Sequence, residues 1–278
     1  MNKKRIVFIG SNSFIAKNVI HDLKKLNYII IKLPRTLIDL ESKKSIKQLD
    51  KFIKNNDRIF FASGKVPVKN NLMYKKNIMM INNFCSAIRN KNINHFFYLS
   101  SDAVYSDSQR PLSEKSHKNP DNLHGLMHLS RENIIKKIFP KSKITIFRPT
   151  LVFGSDDPHN GYGPNKFVRL ARNKKNICLF GNGEERRDHI FVKDLSKLIC
   201  KCINKNLPGE FNLATGKLYS FMNISNIIKS KYPKTQILTS IRKGVMPHNG
   251  YRAFKINNIN LISNNFKFTT IEKWVKSL

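Results

Sequence analysis

Acidic residues are scarce in this chain, with 18 Asp and Glu against 51 Lys and Arg. Cysteine occurs four times, as Cys85, Cys178, Cys200 and Cys202, without paired metal-ligand spacing. Cys200 and Cys202 fall two apart in an expected helix and so point away from each other. A disulfide framework and a cysteine-zinc site are thereby excluded; four reduced thiols fit a cytoplasmic protein, and no metal is expected. No apolar run approaches the length of a membrane span. The N-terminus is basic, but the apolar stretch after it is a short strand ending at Gly10, too short for a signal-peptide core. Internal repeats, low-complexity tracts and long linkers are also missing. The 278 residues suit one large domain, or a domain with a smaller lobe, and are enough to bury a core.

The shortage of acids leaves a formal charge of +33. Nucleic acid, an anionic membrane surface and an acidic ligand are the partner classes this allows. The lysines are spread along the whole chain, with no basic stripe interleaved by aromatics. Lys, Asn and Ile, all with AT-rich codons, are abundant throughout, so the charge reads first as compositional and nucleic-acid binding as secondary.

The first half alternates strand and helix. Arg5 to Ile9 is an apolar run closed by Gly10, as in a buried strand. Gly10-Ser11-Asn12-Ser13-Phe14-Ile15-Ala16 then leads into a helix, expected over Ile15 to Leu26. A strand, a tight turn and a helix N-terminus cradle the pyrophosphate of a dinucleotide. Ser13 stands where the usual three-glycine fingerprint has its middle glycine, and Ala16 where it has its last. A second strand over Tyr28 to Ile31 is followed by Lys32-Leu33-Pro34-Arg35. The carboxylate that would bind a ribose 2′-hydroxyl is missing, and Arg35 either takes a 2′-phosphate, favouring NADP over NAD, or is a solvated loop arginine. Asp39 is a candidate for the adenine edge. Helix Ser42 to Asn55, strand Arg58 to Phe61 ending in Ala62-Ser63-Gly64, helix Asn71 to Asn90 with Asn77, and strand His95 to Leu99 complete the pattern. Short-looped β-α alternation of this kind predicts an α/β fold with a doubly wound parallel sheet. Ligands in such sheets sit beyond the strands' carboxyl ends, so Gly10, Ala62-Ser63-Gly64 and Ser100-Ser101 share one rim.

The stretch Ser100 to Glu132 organises the rest. It runs Ser100-Ser101-Asp102-Ala103-Val104-Tyr105, then a polar loop, then His124-Gly125-Leu126-Met127-His128. His124 and His128, at i and i+4 on the next helix, lie on one face. A hydroxyl at a strand end facing two titratable rings makes a candidate acid/base site, and two surface histidines are the plainer alternative. Beyond it come a strand from Lys143 to Phe147, a Gly/Pro/Asn-rich loop over 154–165, and helix Phe167 to Asn173. Strand Ile177 to Phe180, a turn at Gly181 to His189, a segment Ile190 to Val192 and a helix from Asp194 follow. The chain finishes with strand Glu210 to Leu213, helix Phe221 to Lys229 with Ser220 as N-cap, strand Gln236 to Ile241, and a late helix around Trp274.

These motifs together resemble the extended short-chain dehydrogenase/reductases, in the NAD(P)-dependent sugar-nucleotide epimerase/dehydratase branch, over essentially the whole chain. Gly10 to Ala16 is similar to the family's Gly-x-x-Gly-Phe-Ile-Gly turn, and Ser100 to Tyr105 to its Ser-Ser-x-x-Val-Tyr strand end. Asn77, Pro111, Glu114, Pro120, Arg148-Pro149, Tyr162-Gly163-Pro164-Asn165, Gly181-x-Gly-x-x-x-Arg187-Asp188, Asn212, Thr215-Gly216 and Ser220 match in order.

The resemblance implies a Rossmann-type domain over 1–150, with 187–215 returning to it, and a smaller α/β substrate lobe mainly over 151–278. It also implies a nicotinamide cofactor held by Gly10, Ser13, Phe14, Ile15, Arg35, Asp39, Ala62, Ser63, Gly64, Asn77 and His128. A nucleotide-diphosphate sugar would meet Asp102, Ala103, Asn160, Lys166 and Arg187. Arg187 would contact the diphosphate, an ion pair with Asp188 or Asp194 being the alternative. A homodimer through the long helices and a role in surface polysaccharide synthesis are further implications.

The family's mechanism uses a tyrosine, a lysine four residues on, and a serine, here Ser101. The tyrosine position is His124 and the lysine position His128. Histidine titrates near neutrality, so His124 can serve as general acid/base without a lysine, and His128 can still donate to the ribose. Dehydratases in the family carry an acidic pair after the serine or threonine. Here Asp102 is followed by Ala103, which favours epimerisation or keto-sugar reduction. The alternative is an inactive member that binds nucleotide, or RNA through its basic surface.

Overall fold

The computed structural model describes residues 4–278, so Met1–Lys3 of the basic N-terminus lie outside the described residues. Strands β1 (Arg5–Ile9), β2 (Ile29–Leu33), β3 (Arg58–Phe61), β4 (His95–Leu99) and β5 (Ile144–Pro149) alternate with helices α1 (Phe14–Lys24), α2 (Lys44–Phe52), α3 (Asn71–Ala87) and α4 (Leu123–Ile138). They form a parallel sheet in the order β2-β1-β3-β4-β5, which a later strand, Gly209–Leu213, extends at its far edge. The chain leaves β1 toward β2 and crosses back to β3. The switch point, where open α/β sheets hold ligands, therefore lies between β1 and β3.

Both faces of this sheet are covered, which is why its strands read as unbroken apolar runs. Adjacent residues of one strand serve opposite cores. Phe60 packs with Phe8, at 4.9 Å between ring centres, and with Phe147. Its neighbour Phe61 meets Phe84, Phe96 and Tyr98 on the other side.

After β5 come β6 (Leu151–Phe153), α5 (Pro164–Arg172), β7 (Ile177–Phe180), β8 (Arg186–Phe191), α6 (Val192–Lys205), β9 (Gly209–Leu213), β10 (Leu218–Ser220), α7 (Phe221–Lys231), β11 (Ile237–Ser240), β12 (Tyr251–Arg252), α8 (Ile259–Ile262) and α9 (Ile271–Lys276). β8 is bordered by β6, β10 and β12, and β7 pairs with β11. Phe153, Phe167, Phe221 and Trp274 centre a separate cluster beneath them.

The expected elements are present with several ends moved, and the short β6, β10, β12 and α8 are additional to them. α5 starts at Pro164 rather than Phe167, because a proline at the first helical position lacks only an N–H that would have no helical partner. β8 starts at Arg186, inside the expected turn, because β10 and β12 pair with Arg186 and Arg187 from either side. β2 runs Ile29–Leu33, two residues beyond the expected end, paired with β1 in parallel register up to Ile9↔Leu33. α3 stops at Ala87, three residues short of Asn90.

Candidate active site

Beyond the carboxyl ends of β1, β3 and β4 opens a cleft of about 370 Å³. Its cofactor half is built from three turns. Gly10, at φ +79°, lies so close to β3 that a Cβ there would sit 2.8 Å from both N and Cα of Ser63. Only glycine permits that approach, and it packs the phosphate-turn backbone against the Ala62-Ser63-Gly64 rim. Phe14 and Ile15 line the cleft at the start of α1, where unpaired N–H groups and the helix dipole favour an anion. Ser13 also lines it, but its hydroxyl is engaged in capping, accepting from Ala16 N at 3.3 Å.

Not every expected cofactor residue reaches this wall. Asn77 is fully buried behind it. Its amide clasps Lys65, accepting from the backbone N–H and donating to the carbonyl at 3.0 Å each, so it braces the rim and does not line it. Arg35 and Asp39 stand off the cleft in the loop after β2. Arg35 donates to Glu41 at 2.9 Å, and Glu41 also pairs with Lys65 and Lys76.

The reacting half is carried by β4 and α4. Ser101, Asp102, His124 and His128 all line the cleft, as do Ser63 and Gly64 across from them. Asn122 caps α4, accepting from Gly125 N at 2.9 Å. A Cβ on Gly125 would lie 2.0 Å from the Ala103 carbonyl oxygen. That contact seats the histidine turn directly on the strand end, and Ala103 serves the contact without lining the cleft.

The two rings meet edge to face, with centres 4.8 Å apart. His128 Nδ1 lies 2.8 Å from the hydroxyl of Tyr98. Burial pushes the Tyr98 phenol well above its ordinary value, so the phenol stays neutral. Its proton has no other acceptor among the described residues. Tyr98 therefore donates, Nδ1 accepts, and the neutral His128 ring carries its proton on Nε2. Burial, then the His124 ring, then the Arg131 charge hold His128 far below the ordinary imidazole range. His124 is also lowered by burial, but the carboxylate of Asp102 pulls it back up. Its Nδ1 is buried without a partner. Ser101 Oγ lies 3.4 Å from Asp102 Oδ1 and accepts from Ala103 N at 3.2 Å.

Ser100, one residue earlier, is engaged elsewhere. It donates to Glu132 at 2.7 Å, and Glu132 is held by the buried guanidinium of Arg148 at 2.8 and 2.5 Å. Arg148 also donates to Tyr105, whose hydroxyl donates to Asn212.

On the substrate side, Asn160, Lys166 and Arg187 do not line the cleft. The Asn160 side chain accepts from Arg169 at 3.3 Å, tying it to α5. Lys166 is half-buried on that helix, and the adjoining Asn165 lines the cleft instead. Arg187 is buried and pairs with Glu185, not with Asp188 or Asp194. It also donates to the Pro247 carbonyl at 2.9 Å. Arg242 shares Glu185 at 3.4 Å, and Arg187 Nη1 and Arg242 Nε are both buried without partners. Asp102 is fixed by the buried Arg252, whose Nε donates to Oδ2 at 3.0 Å.

Four ionisable cleft residues escaped the sequence reading: Arg131, Asp157, His159 and His189. His189 is 3% exposed, and its Nδ1 lies 3.2 Å from the Arg187 carbonyl. A carbonyl only accepts, so Nδ1 carries the proton and Nε2, buried without a partner, is a bare lone pair. Burial drives this ring down to about 3. Arg131 was legible in outline: Met127, Arg131 and Ile135 recur every four residues on the buried side of α4, placing a charge in an apolar row.

Among the described residues no group of His, Cys, Asp or Glu has metal-binding geometry, and no helix is long and apolar enough to cross a membrane. The four cysteines are free.

The sequence pattern of the NAD dependent epimerase/dehydratase family matches residues 6–214. The fold is similar to that of UDP-N-acetylglucosamine 4-epimerase from Methanobrevibacter ruminantium, solved with UDP-N-acetylmuramic acid. Identity is 22%, coverage 99% of this chain and 98% of that one, and TM-score 0.81. UDP-glucose 4-epimerase from Thermus thermophilus, in complex with NAD, gives 15% identity, 98% coverage of both chains and TM-score 0.84. UDP-glucuronic acid 4-epimerase from Bacillus cereus, with UDP-glucuronic acid and NAD, gives 17% identity, 98% and 96% coverage and TM-score 0.83. At these identities the likeness speaks for the fold.

Proposed function

Because this chain belongs to the NAD dependent epimerase/dehydratase family, we propose that it is an enzyme that epimerises or reduces a nucleotide-linked sugar, with His124 as its acid/base. The observation that carries this reading is the convergence of Ser101, His124 and His128 with the phosphate turn on one cleft. Gly10, the start of α1 and the Ala62-Ser63-Gly64 rim fit a dinucleotide, because they combine close backbone approach with a helix N-terminus. The nicotinamide, when bound, supplies or takes the hydride.

The protein's own part is proton handling and orientation. His124, neutral at pH 7 through burial, takes the proton from a sugar hydroxyl as the carbon–hydrogen bond breaks, and returns it in the reverse step. Ser101 hydrogen-bonds the reacting oxygen. His128 donates through Nε2 to the cofactor ribose and moves no proton. His189 Nε2 accepts from a hydroxyl or N–H of the sugar. Arg187 and Arg242, which share Glu185 off the cleft, support the substrate side without lining it. Arg252 ties up the Asp102 carboxyl, and Ala103 follows it where an acidic pair would be completed, which favours epimerisation or keto-sugar reduction over dehydration.

In this reading residues 1–150 and 187–215 form the cofactor half and 151–278 mainly the substrate lobe. β9, the sixth strand of the main sheet, supports that division. NAD is the cofactor its family description names. NADP rests on Arg35 alone, which Glu41 already engages. The exposed Leu72 and Met79 on α3 and Leu126 on α4 support a homodimer through the long helices. The free thiols suit the cytoplasm, where the enzyme would serve surface polysaccharide synthesis.

Calorimetry with NADH and NADPH, followed by turnover of UDP-sugars by wild type and His124→Phe, tests the reading. Cofactor binding by both proteins, with turnover in the variant reduced about 10²–10⁴-fold, is expected. Unchanged turnover in His124→Phe would remove the assignment. Failure to bind either cofactor, with salt-sensitive RNA binding instead, would favour the inactive alternative.

A further inference from the structure

We propose that Arg131 is the fixed cation of the cofactor site and biases the protein toward the reduced, more anionic form of a nicotinamide dinucleotide. This rests on the functional reading above and adds a residue and a preference to it. Arg131 is 1% exposed, yet it lines the cleft. Its guanidinium donates to neutral oxygens: Ser63 O at 2.7 Å, Asn77 O at 3.0 and 2.7 Å, and Asn77 Oδ1 at 2.9 Å. It also lies over the ring of Phe61, 5.6 Å from its centre. Among the described residues no carboxylate pairs with it. The adjacent Glu132 is taken by Arg148.

A buried charge without a counter-charge is expensive, and carbonyl dipoles compensate it only in part. The other groups around it do not help. Burial pushes the Cys85 thiol up to about 12 and the Tyr98 phenol higher, so both are neutral at pH 7, and His128 is neutral as well. Arg131 is thus a net positive charge built into the wall beside Ser63 and Gly64. Ser63 in turn touches the phosphate turn, through the close approach of Gly10.

A dinucleotide in this cleft would place its charge against that wall. Gain of a hydride removes the positive charge of the nicotinamide ring, so the reduced form is more negative by one unit. A fixed cation nearby therefore stabilises the reduced form relative to the oxidised one. One unit charge acting over about 10 Å at an effective dielectric near 20 changes the ratio of the two affinities roughly tenfold.

The test is calorimetry with NAD⁺ and NADH on wild type, Arg131→Lys and Arg131→Met, with NMR titration of His128 alongside. Wild type should bind NADH more tightly than NAD⁺. Arg131→Lys should keep most of that preference, and Arg131→Met should lose it by roughly tenfold while the His128 titration moves upward. A residue that only braced Ser63 and Asn77 would weaken both cofactors equally and leave their ratio alone. Wild type binding NAD⁺ as tightly as NADH overturns the proposal without any variant having to fold. If wild type binds neither, the cofactor reading itself fails and takes this proposal with it.

Discussion

The hydroxyl of Tyr98 lies 2.8 Å from Nδ1 of His128, and both groups are buried. This contact separates two histidines that look equivalent in sequence. His128 is locked as a neutral donor, while His124, beside the Asp102 carboxylate, is the ring free to titrate. Tyr98→Phe should leave Nδ1 without its donor, at a cost of about 1–2 kcal/mol in stability. Chemical denaturation measures that loss. Nitrogen-15 NMR of the histidines should show His128 exchanging between tautomers, and a single retained tautomer would contradict the lock.

The pH dependence of turnover follows from His124. Burial lowers its pKa, so the base form persists below the ordinary histidine value of about 6.5, and the acid limb of kcat/KM should fall below that pH. Asp102 works against burial by favouring the protonated ring. Asp102→Asn should therefore move the acid limb further down. A profile of kcat/KM against pH for the two proteins gives the answer, and an upward move would place the charge coupling elsewhere.

Gly125→Ala probes the seat of the histidine turn. The new Cβ would fall 2.0 Å from the Ala103 carbonyl, which belongs to backbone and cannot swing aside. α4 has to shift, at about 1–3 kcal/mol. Because His124 adjoins the clash and Ser101 lies just before Ala103, turnover should drop more than cofactor affinity. Steady-state kinetics with parallel calorimetry distinguish the two.

Glu132→Gln tests the buried network beneath the site. It leaves the Arg148 charge less well compensated and weakens the acceptor of Ser100, so a loss of about 3–5 kcal/mol is expected. Denaturant titration reads this directly, and a change under about 1 kcal/mol, the scale of a single net hydrogen bond, would mean that Glu210, 2.7 Å from the same guanidinium, suffices alone.

Stability itself should fall on acidification. Burial holds His95 at about 4 and His189 at about 3, so the unfolded chain binds their protons below pH 6.5 while the folded one does not. Each contributes a loss of about 1.4 kcal/mol per pH unit across that window. Asp188 opposes one of them, because burial raises it to about 6 and the folded state then takes up its proton first. Glu210 adds a later loss: burial pushes it up, but Arg148 and Lys136 outweigh that and bring it to about 2, so its contribution fades between pH 4.5 and 2. Denaturation midpoints across pH 7 to 4 should decline throughout, with a shallower decline in His95→Gln.

Much of the site was legible because its backbone parts have local signatures. A glycine after an apolar run, small residues after β3 and a serine pair after β4 each mark a strand end, and parallel topology brings strand ends to one rim. Arg35, Asn160, Lys166 and Arg187 were harder. They are long or loop-borne polar groups, and whether such a side chain faces a cleft depends on which charged or polar partner the folded loop brings against it. Glu41, Arg169 and Glu185 decided it here.

Hydrophobic periodicity and turn residues determined the α/β alternation, the parallel sheet and the place of the cleft, because each of those is set within a few residues. They also set His124 and His128 on one helical face. Tertiary structure alone decided which of the two keeps a mobile proton, since Tyr98 reaches His128 from β4 and Asp102 reaches His124 from the turn beyond it. It likewise decided that Arg131 is a buried charge without a carboxylate. Protonation and charge compensation depend on burial and on partners from other elements, and those come together only when the chain is folded.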